Sequence, residues 1–256
     1  MKEIKLNSIL KDSNTDYHSN KSISASGLKE ISSTSVTDYL NKKFKTSLAL
    51  ELGSAIHSII LEPELFYTEF HVMPNIDLRT KAGKELKIKH QKIAQGRTLL
   101  SESNYNLLKK ILVSFKKNKD AVKLLDGLIE LSHYGTVNGV DVRCRPDILG
   151  KDFVCDIKSC KSVNAYNFRK DCYTYKWFLQ AVFYSDFLSV PAENFRFIAI
   201  SKEDEPKVKV FGLTKKSIEL GRQQWHEAFN RWQFYKETGI CSGENWNDFK
   251  DSVQLL

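Results

Sequence analysis

Apolar residues recur at helical spacing between Ser24 and about Leu61, as Leu28 and Ile31, then Val36 and Leu40, then Leu48, Leu52, Ala55, Ile56, Ile59 and Ile60. The spacing predicts three short to medium helices. Ser24 or Ser26 offers an N-cap for the first, and Pro63 stops the third. Within 75–126, Tyr105, Leu108, Ile111, Leu112 and Phe115 keep the same period and predict two more helices, the first strongly cationic. From Leu128 the period changes. Residues 128–137, 139–149 and 152–158 alternate or run apolar, with turn signals at Asn138-Gly139 and Gly150-Lys151-Asp152, the pattern of an antiparallel meander. Helical spacing returns over 164–189, two strands follow at 194–201 and 207–213, and a long helix runs from 214 to about 238. Residues 1–22 are polar without an apolar period and read as a partly extended lead-in, with the fold beginning near Ile23. The expected organisation is one α/β domain: the lead-in, a mainly helical part at 23–126, a mixed sheet with flanking helices at 127–238, and a tail at 239–256.

Composition narrows the class. With 256 residues, 41% hydrophobic and 27% charged, the chain can bury a real core, and no apolar run approaches the ~20 residues of a membrane span. The N-terminus has no apolar leader, so a cytoplasmic protein is expected. Cys144, Cys155, Cys160, Cys172 and Cys241 form no CxxC pair and are expected to be reduced packing residues. Lys and Arg number 39 against 31 Asp and Glu, a net +8 that suits a polyanionic partner. Arg79, Lys81, Lys84, Lys87, Lys89, Lys92 and Arg97 crowd one stretch. They form either a solvated lysine face or a phosphate-tracking surface, and charge alone does not choose.

The informative stretch is Val142 to Ser159. Two predicted strands joined by a tight turn carry Asp147 near the end of the first and Asp156 in the second, so both carboxylates can reach one point. Asp156 and Lys158 are two apart and project from one face of a strand. A hard divalent cation needs one or two carboxylates plus substrate phosphate oxygens, and an ammonium beside them can steady an attacking hydroxide. The second Asp-x-Lys, Asp248 to Lys250, has no paired upstream carboxylate. Gly53 and His57 share a helix face one turn apart, the glycine leaving room for another element to approach, and Gln180 and Tyr184 have the same relation. Arg143 and Arg145 share a face, where Arg145 serves either as a phosphate clamp or in a structural ion pair. Tyr173, Tyr175, Lys176 and Trp177 mix aromatic and basic side chains that can stack on a base, with core packing the better reading for Trp177.

In chain order these are GxxxH, PD, DxK and QxxxY. The pattern resembles the PD-(D/E)xK nuclease superfamily, a restriction-endonuclease-like fold, and within it the RecB-like branch of exonuclease VIII (RecE-type) and lambda-type phage recombination exonucleases. Ile23-Ser-Ala-Ser-Gly-Leu28, Leu52-Gly-Ser-Ala-Ile-His-Ser-Ile-Ile-Leu-Glu-Pro-Glu64 and Arg79-Thr-Lys-Ala-Gly-Lys84 resemble further motifs of that branch. The resemblance implies metal ligation by His57, Asp147 and Asp156, with Glu130 as a further ligand or a plain salt-bridge partner. It implies Lys158 as the motif lysine and Gln180 and Tyr184 lining the site. It also implies Mg²⁺, with Mn²⁺ able to substitute. Arg79, Lys81 and Lys84 are candidates, on charge, for backbone phosphate contacts, with Arg145 divided as above between a phosphate clamp and an ion pair. The implied activity is resection of linear double-stranded DNA from a 5′ end for recombination, by a homo-oligomer working with a single-strand-annealing protein. The rival readings are a RecB-like endonuclease, a CRISPR-associated trimming nuclease, or a catalytically silent DNA-binding module. The cysteines lack the flanking set that an iron–sulfur cluster needs.

Overall fold

The computed structural model describes residues 2–43 and 47–241. In chain order its elements are β1 (Ile4–Leu10), α1 (Asn14–Ser19), β2 (Ile23–Ser24), α2 (Ala25–Ser33), α3 (Val36–Asn41), α4 (Leu48–Leu61), α5 (Phe66–Glu69), β3 (Phe70–Met73), α6 (Lys81–Ala94), β4 (Thr98–Ser101), α7 (Glu102–Lys117), α8 (Lys119–Lys123), β5 (Leu128–Ile129), β6 (Ser132–Val137), β7 (Val140–Cys144), β8 (Ile148–Leu149), β9 (Val154–Cys160), α9 (Ala165–Thr174), α10 (Trp177–Phe187), β10 (Phe195–Ser201), β11 (Val208–Gly212) and α11 (Lys215–Thr238). A serine, threonine or asparagine side chain caps the start of most of the helices by accepting a backbone N–H, as Ser24 does from Gly27 in α2, Ser47 from Leu50 in α4 and Thr214 from Ser217 in α11. The second predicted Asp-x-Lys, at 248–250, and most of the predicted tail lie outside the described residues.

The strands form a five-stranded sheet in the order β11-β10-β9-β8-β5, a four-stranded sheet β1-β6-β7-β2, and a short parallel pair β3-β4. In the five-stranded sheet only β9 and β10 run parallel. Both of its faces are covered, which is why β10 reads as a nearly unbroken apolar run. Val154, Phe195, Phe197 and Ala199 enter one core with α2, α10 and α11, while Cys155, Ile157, Ile198 and Ile200 enter a second with α4 and α7.

Three expectations are corrected. Residues 1–22 are not a lead-in, because β1 pairs antiparallel with β6 from Ile4↔Val137 to Leu10↔Ser132, so the fold begins at Ile4. Polar alternation hid this edge strand, whose Leu6, Ile9 and Leu10 stay exposed. The predicted meander is also divided. The run 128–137 breaks at Glu130, held at φ 50°, and the run 139–149 breaks at Arg145-Pro146-Asp147. Both partners of one long hairpin therefore turn together from the four-stranded sheet into the five-stranded one, and Pro146, with no N–H to donate, suits that bend. Finally, the 75–126 region holds β4 and α8 besides its two long helices, and β4 pairs with β3 just upstream.

Helices α10 and α11 approach closely at Gly221, where an added Cβ would lie 2.3 Å from the Phe178 carbonyl oxygen. Backbone rather than a flexible side chain blocks that space, so Gly221→Ala is expected to force the helices apart. A destabilisation of about 1–3 kcal/mol, read from the urea midpoint, is the expected outcome.

Candidate active site

A cleft of about 810 Å³ opens where the two sheets diverge, and its lining includes Lys29, Gly53, His57, Glu130, Arg145, Asp147, Asp156, Lys158, Gln180 and Tyr184. Its position follows from register. β8 pairs only Val154 and Cys155 of β9, so from Asp156 onward that flank of β9 has no strand against it among the described residues. The N–H and C=O of one strand residue point the same way, and those of Ile157 point out of this open flank. Asp147, one residue before β8, uses its Oδ2 to accept the Ile157 N–H at 2.5 Å. His57, on α4, has Nε2 3.0 Å from the Ile157 carbonyl oxygen. A carbonyl only accepts, so Nε2 carries the hydrogen and Nδ1 presents its other valence to the cleft.

That Nδ1 lies 3.3 Å from Asp147 Oδ1 and 3.8 Å from Glu130 Oε1. His57, Glu130 and Asp147 thus bring one nitrogen and two carboxylates within 4.8 Å of one another. An imidazole lone pair aimed at two carboxylates requires a cation between them, either a proton or a metal ion, and the donor set fits a divalent metal. Burial works against charge on His57, but the carboxylates of Asp147 and Glu130 outweigh it and hold the imidazole well above its usual 6.5. Glu130 is placed by its backbone N–H, which donates to the Asp147 carbonyl at 3.1 Å and continues the β5–β8 ladder.

Asp156 is held differently. Its Oδ1 accepts from Gln180 Nε2 at 2.6 Å and its Oδ2 lies 2.5 Å from Lys158 Nζ, so both oxygens are engaged beside the three-residue cluster rather than inside it. Burial pushes the Asp156 carboxyl up despite the adjacent ammonium. Gln180 and Tyr184 are buried on α10 and face the cleft, and burial holds the Tyr184 hydroxyl far above its ordinary range.

Arg145 sits in an ion pair. Its Nε is 3.4 Å from Glu130 Oε2, its guanidinium donates to Asn14 Oδ1 and lies over the Tyr17 ring at 4.3 Å, and only 9% of its side chain is exposed. Arg143 also lies over Tyr17 and donates to the Asn20 and Ser22 carbonyls. Both arginines are therefore positioned by the N-terminal residues read as a lead-in. Arg79, Lys81 and Lys84 do not line the cleft; Arg79 is 90% exposed and pairs with Asp77, and the lysines are exposed on the first turn of α6. Trp177 is buried, while Tyr173 and Tyr175 are exposed. Cys144, Cys155, Cys160 and Cys172 are buried, and burial pushes the Cys160 and Cys172 thiols up to about 11 and 12, so these are packing residues. Lys29 is one of the cleft residues that the sequence reading passed over, although its charge falls between the apolar Leu28 and Ile31 of α2.

The mixed sheet between helical layers, with paired acidic strand ends and a strand lysine at its open edge, is the architecture of PD-(D/E)xK-type nuclease domains. The family described as a PDDEXK-like domain of unknown function (DUF3799) matches residues 24–242, and the chain belongs to it. No curated protein matches the chain. Among solved structures, a protein of Eubacterium rectale described as a "Putative exonuclease" shares the fold with a TM-score of 0.62 at 14% identity, covering 96% of each chain. Among the described residues no helix is long and apolar enough to cross a membrane.

Two outcomes follow from this geometry. A Cβ at Gly53 would meet only Ser159 Oγ, at 3.9 Å, so the expected close approach is not present. Gly53→Ala should therefore keep the fold and raise stability by up to about 1 kcal/mol in chemical denaturation. Because the His57 value is raised on folding, its charge stabilises the metal-free protein below 6.5, and that contribution is lost as pH rises through the folded value. Melting in EDTA from about pH 6 to about pH 9 should show Tm falling, His57→Ala flattening the profile, and a divalent cation restoring Tm at the alkaline end.

Proposed function

We propose that this protein is a Mg²⁺-dependent exodeoxyribonuclease that resects linear double-stranded DNA, 5′ to 3′, leaving single-strand overhangs for recombination. The observation that supports it best is the juxtaposition, in one cleft, of the His57–Glu130–Asp147 cluster with the Asp156–Lys158 pair at the open edge of β9. In this reading His57, Glu130 and Asp147 hold the cation, with Asp156 completing its surroundings. Bound there, a divalent cation supplies charge neutralisation at phosphate oxygens and acidifies water. Lys158 Nζ hydrogen-bonds the attacking oxygen and steadies its charge. Asp156 and Gln180 hold that ammonium in place, and Tyr184 forms the wall behind them. Arg145 steadies Glu130, while Arg79, Lys81 and Lys84 contact backbone phosphates outside the cleft, a salt-sensitive contribution independent of base sequence. Polarity, a ring-like homo-oligomer and an annealing-protein partner rest on the family resemblance alone, and the free-end requirement draws further support from the description of the Eubacterium rectale protein.

The test is digestion of linear and of covalently closed circular duplex DNA with Mg²⁺ or EDTA, beside Lys158→Ala. The expected result is loss of the linear substrate alone, dependence on Mg²⁺, and a rate lower by about 10²–10³ in the variant. Cutting of the circle would replace the exonuclease by an endonuclease, and binding without digestion would leave a DNA-binding module.

A further inference from the structure

Lys29 reaches the cleft from α2, next to Leu28, whose side chain is fully buried in the core. Its Nζ donates to Gln180 Oε1 at 3.0 Å, and Lys158 Nζ lies 3.4 Å from the same oxygen. Two ammonium groups thus converge on one neutral carbonyl. The amide is locked by this, since its oxygen must face the lysines and its nitrogen donates to Asp156 Oδ1. The carboxylate at this end of the cleft is already taken by Lys158 and Gln180, and among the described residues no ion pair includes Lys29.

A hydrogen bond to a neutral amide needs only a neutral donor, so the positive charge of Lys29 feels Asp156 nearby but has no ion-pair partner of its own among the described residues. A cation held out of bulk water beside a like charge is costly until an anion arrives. Burial, reinforced by Lys158 and opposed by Asp156, pushes the Lys29 ammonium down to about 7. We propose that Lys29 is a ligand for a backbone phosphate of the DNA strand in the cleft, a second ammonium acting beside Lys158 on the side away from the His57–Glu130–Asp147 cluster. The assignment rests on the nuclease reading above and adds to it a residue that selects for polyanionic substrate.

The test compares wild type, Lys29→Gln and Lys29→Arg in binding a linear duplex across a salt series with Ca²⁺ in place of Mg²⁺, with Mg²⁺ cleavage by wild type run alongside. Lys29→Gln, which can still donate to Gln180, should lose about tenfold in affinity and lower the slope of log K against log salt by about 0.9, while Lys29→Arg keeps both. As a readout that needs no variant, amine acetylation of the wild type read by mass spectrometry should modify Lys29 in the free protein and be blocked by saturating duplex. Unchanged affinity and slope in Lys29→Gln, or acetylation undiminished by duplex, in a wild type that cuts DNA overturns the Lys29 assignment alone. A wild type that neither binds nor cuts duplex overturns it together with the nuclease reading.

Discussion

The backbone of one residue organises the site. Ile157 contributes its side chain to the core beneath α4 and α7, its N–H to the Asp147 carboxylate and its C=O to the His57 imidazole. Buried backbone groups at a sheet edge must be satisfied, and here the partners are two functional side chains instead of another strand. The same bonds that complete the edge fix the His57 tautomer and aim one Asp147 oxygen at the imidazole, so ligand geometry is inherited from backbone hydrogen bonding. On the neighbouring positions, strand alternation turns Asp156 and Lys158 toward α10, where Gln180 waits.

The edge is open because two strands leave together. Glu130 adopts φ 50°, a conformation costing a non-glycine residue on the order of 1 kcal/mol, and opposite it Pro146 cannot continue a ladder. Had β8 carried on beside β9, its backbone would have filled the space now taken by the Asp147 carboxylate and the His57 ring. The bend is stabilised from outside by the N-terminal segment: Tyr17 lies beneath both Arg143 and Arg145, and Asn14 and the Asp12 carbonyl accept from Arg145. Arg145 then ties Glu130, the residue at the turn, into the same network.

Much of this was legible in the sequence because it rests on local pattern. The helices α2, α4, α7 and α11 follow from the 3.6-residue period, the start of α2 from its Ser24 cap, the Asn138-Gly139 turn from its dipeptide, and the PD and DxK residues from their spacing on paired strands. What escaped depends on contacts far apart in the chain. β1 is an edge strand with little apolar signature, and its pairing with β6 spans more than a hundred residues. The breaks at Glu130 and Pro146 are invisible to alternation, since both halves of each run keep their period while changing sheets. Lys29 looks like any helical lysine until α10 brings Gln180 against it.

The cleft is electrostatically divided, and the division gives its parts different work. On one side two carboxylates and an imidazole leave a place suited to a cation, and without one the same carboxylates favour a proton on His57. On the other, two ammonium groups converge on one amide oxygen, and of the two only Lys158 pairs with a carboxylate. Asp156 stands between, balancing Lys158 while adding to the negative field around Asp147. A phosphate oxygen entering between a filled cation site and the lysines meets positive charge on both sides, whereas without the cation it faces Asp147 and Glu130 directly. In the proposed reading, substrate affinity and cation occupancy would be coupled by Coulomb repulsion, and the coupling would be reciprocal: bound phosphate would tighten the cation as much as the cation tightens phosphate.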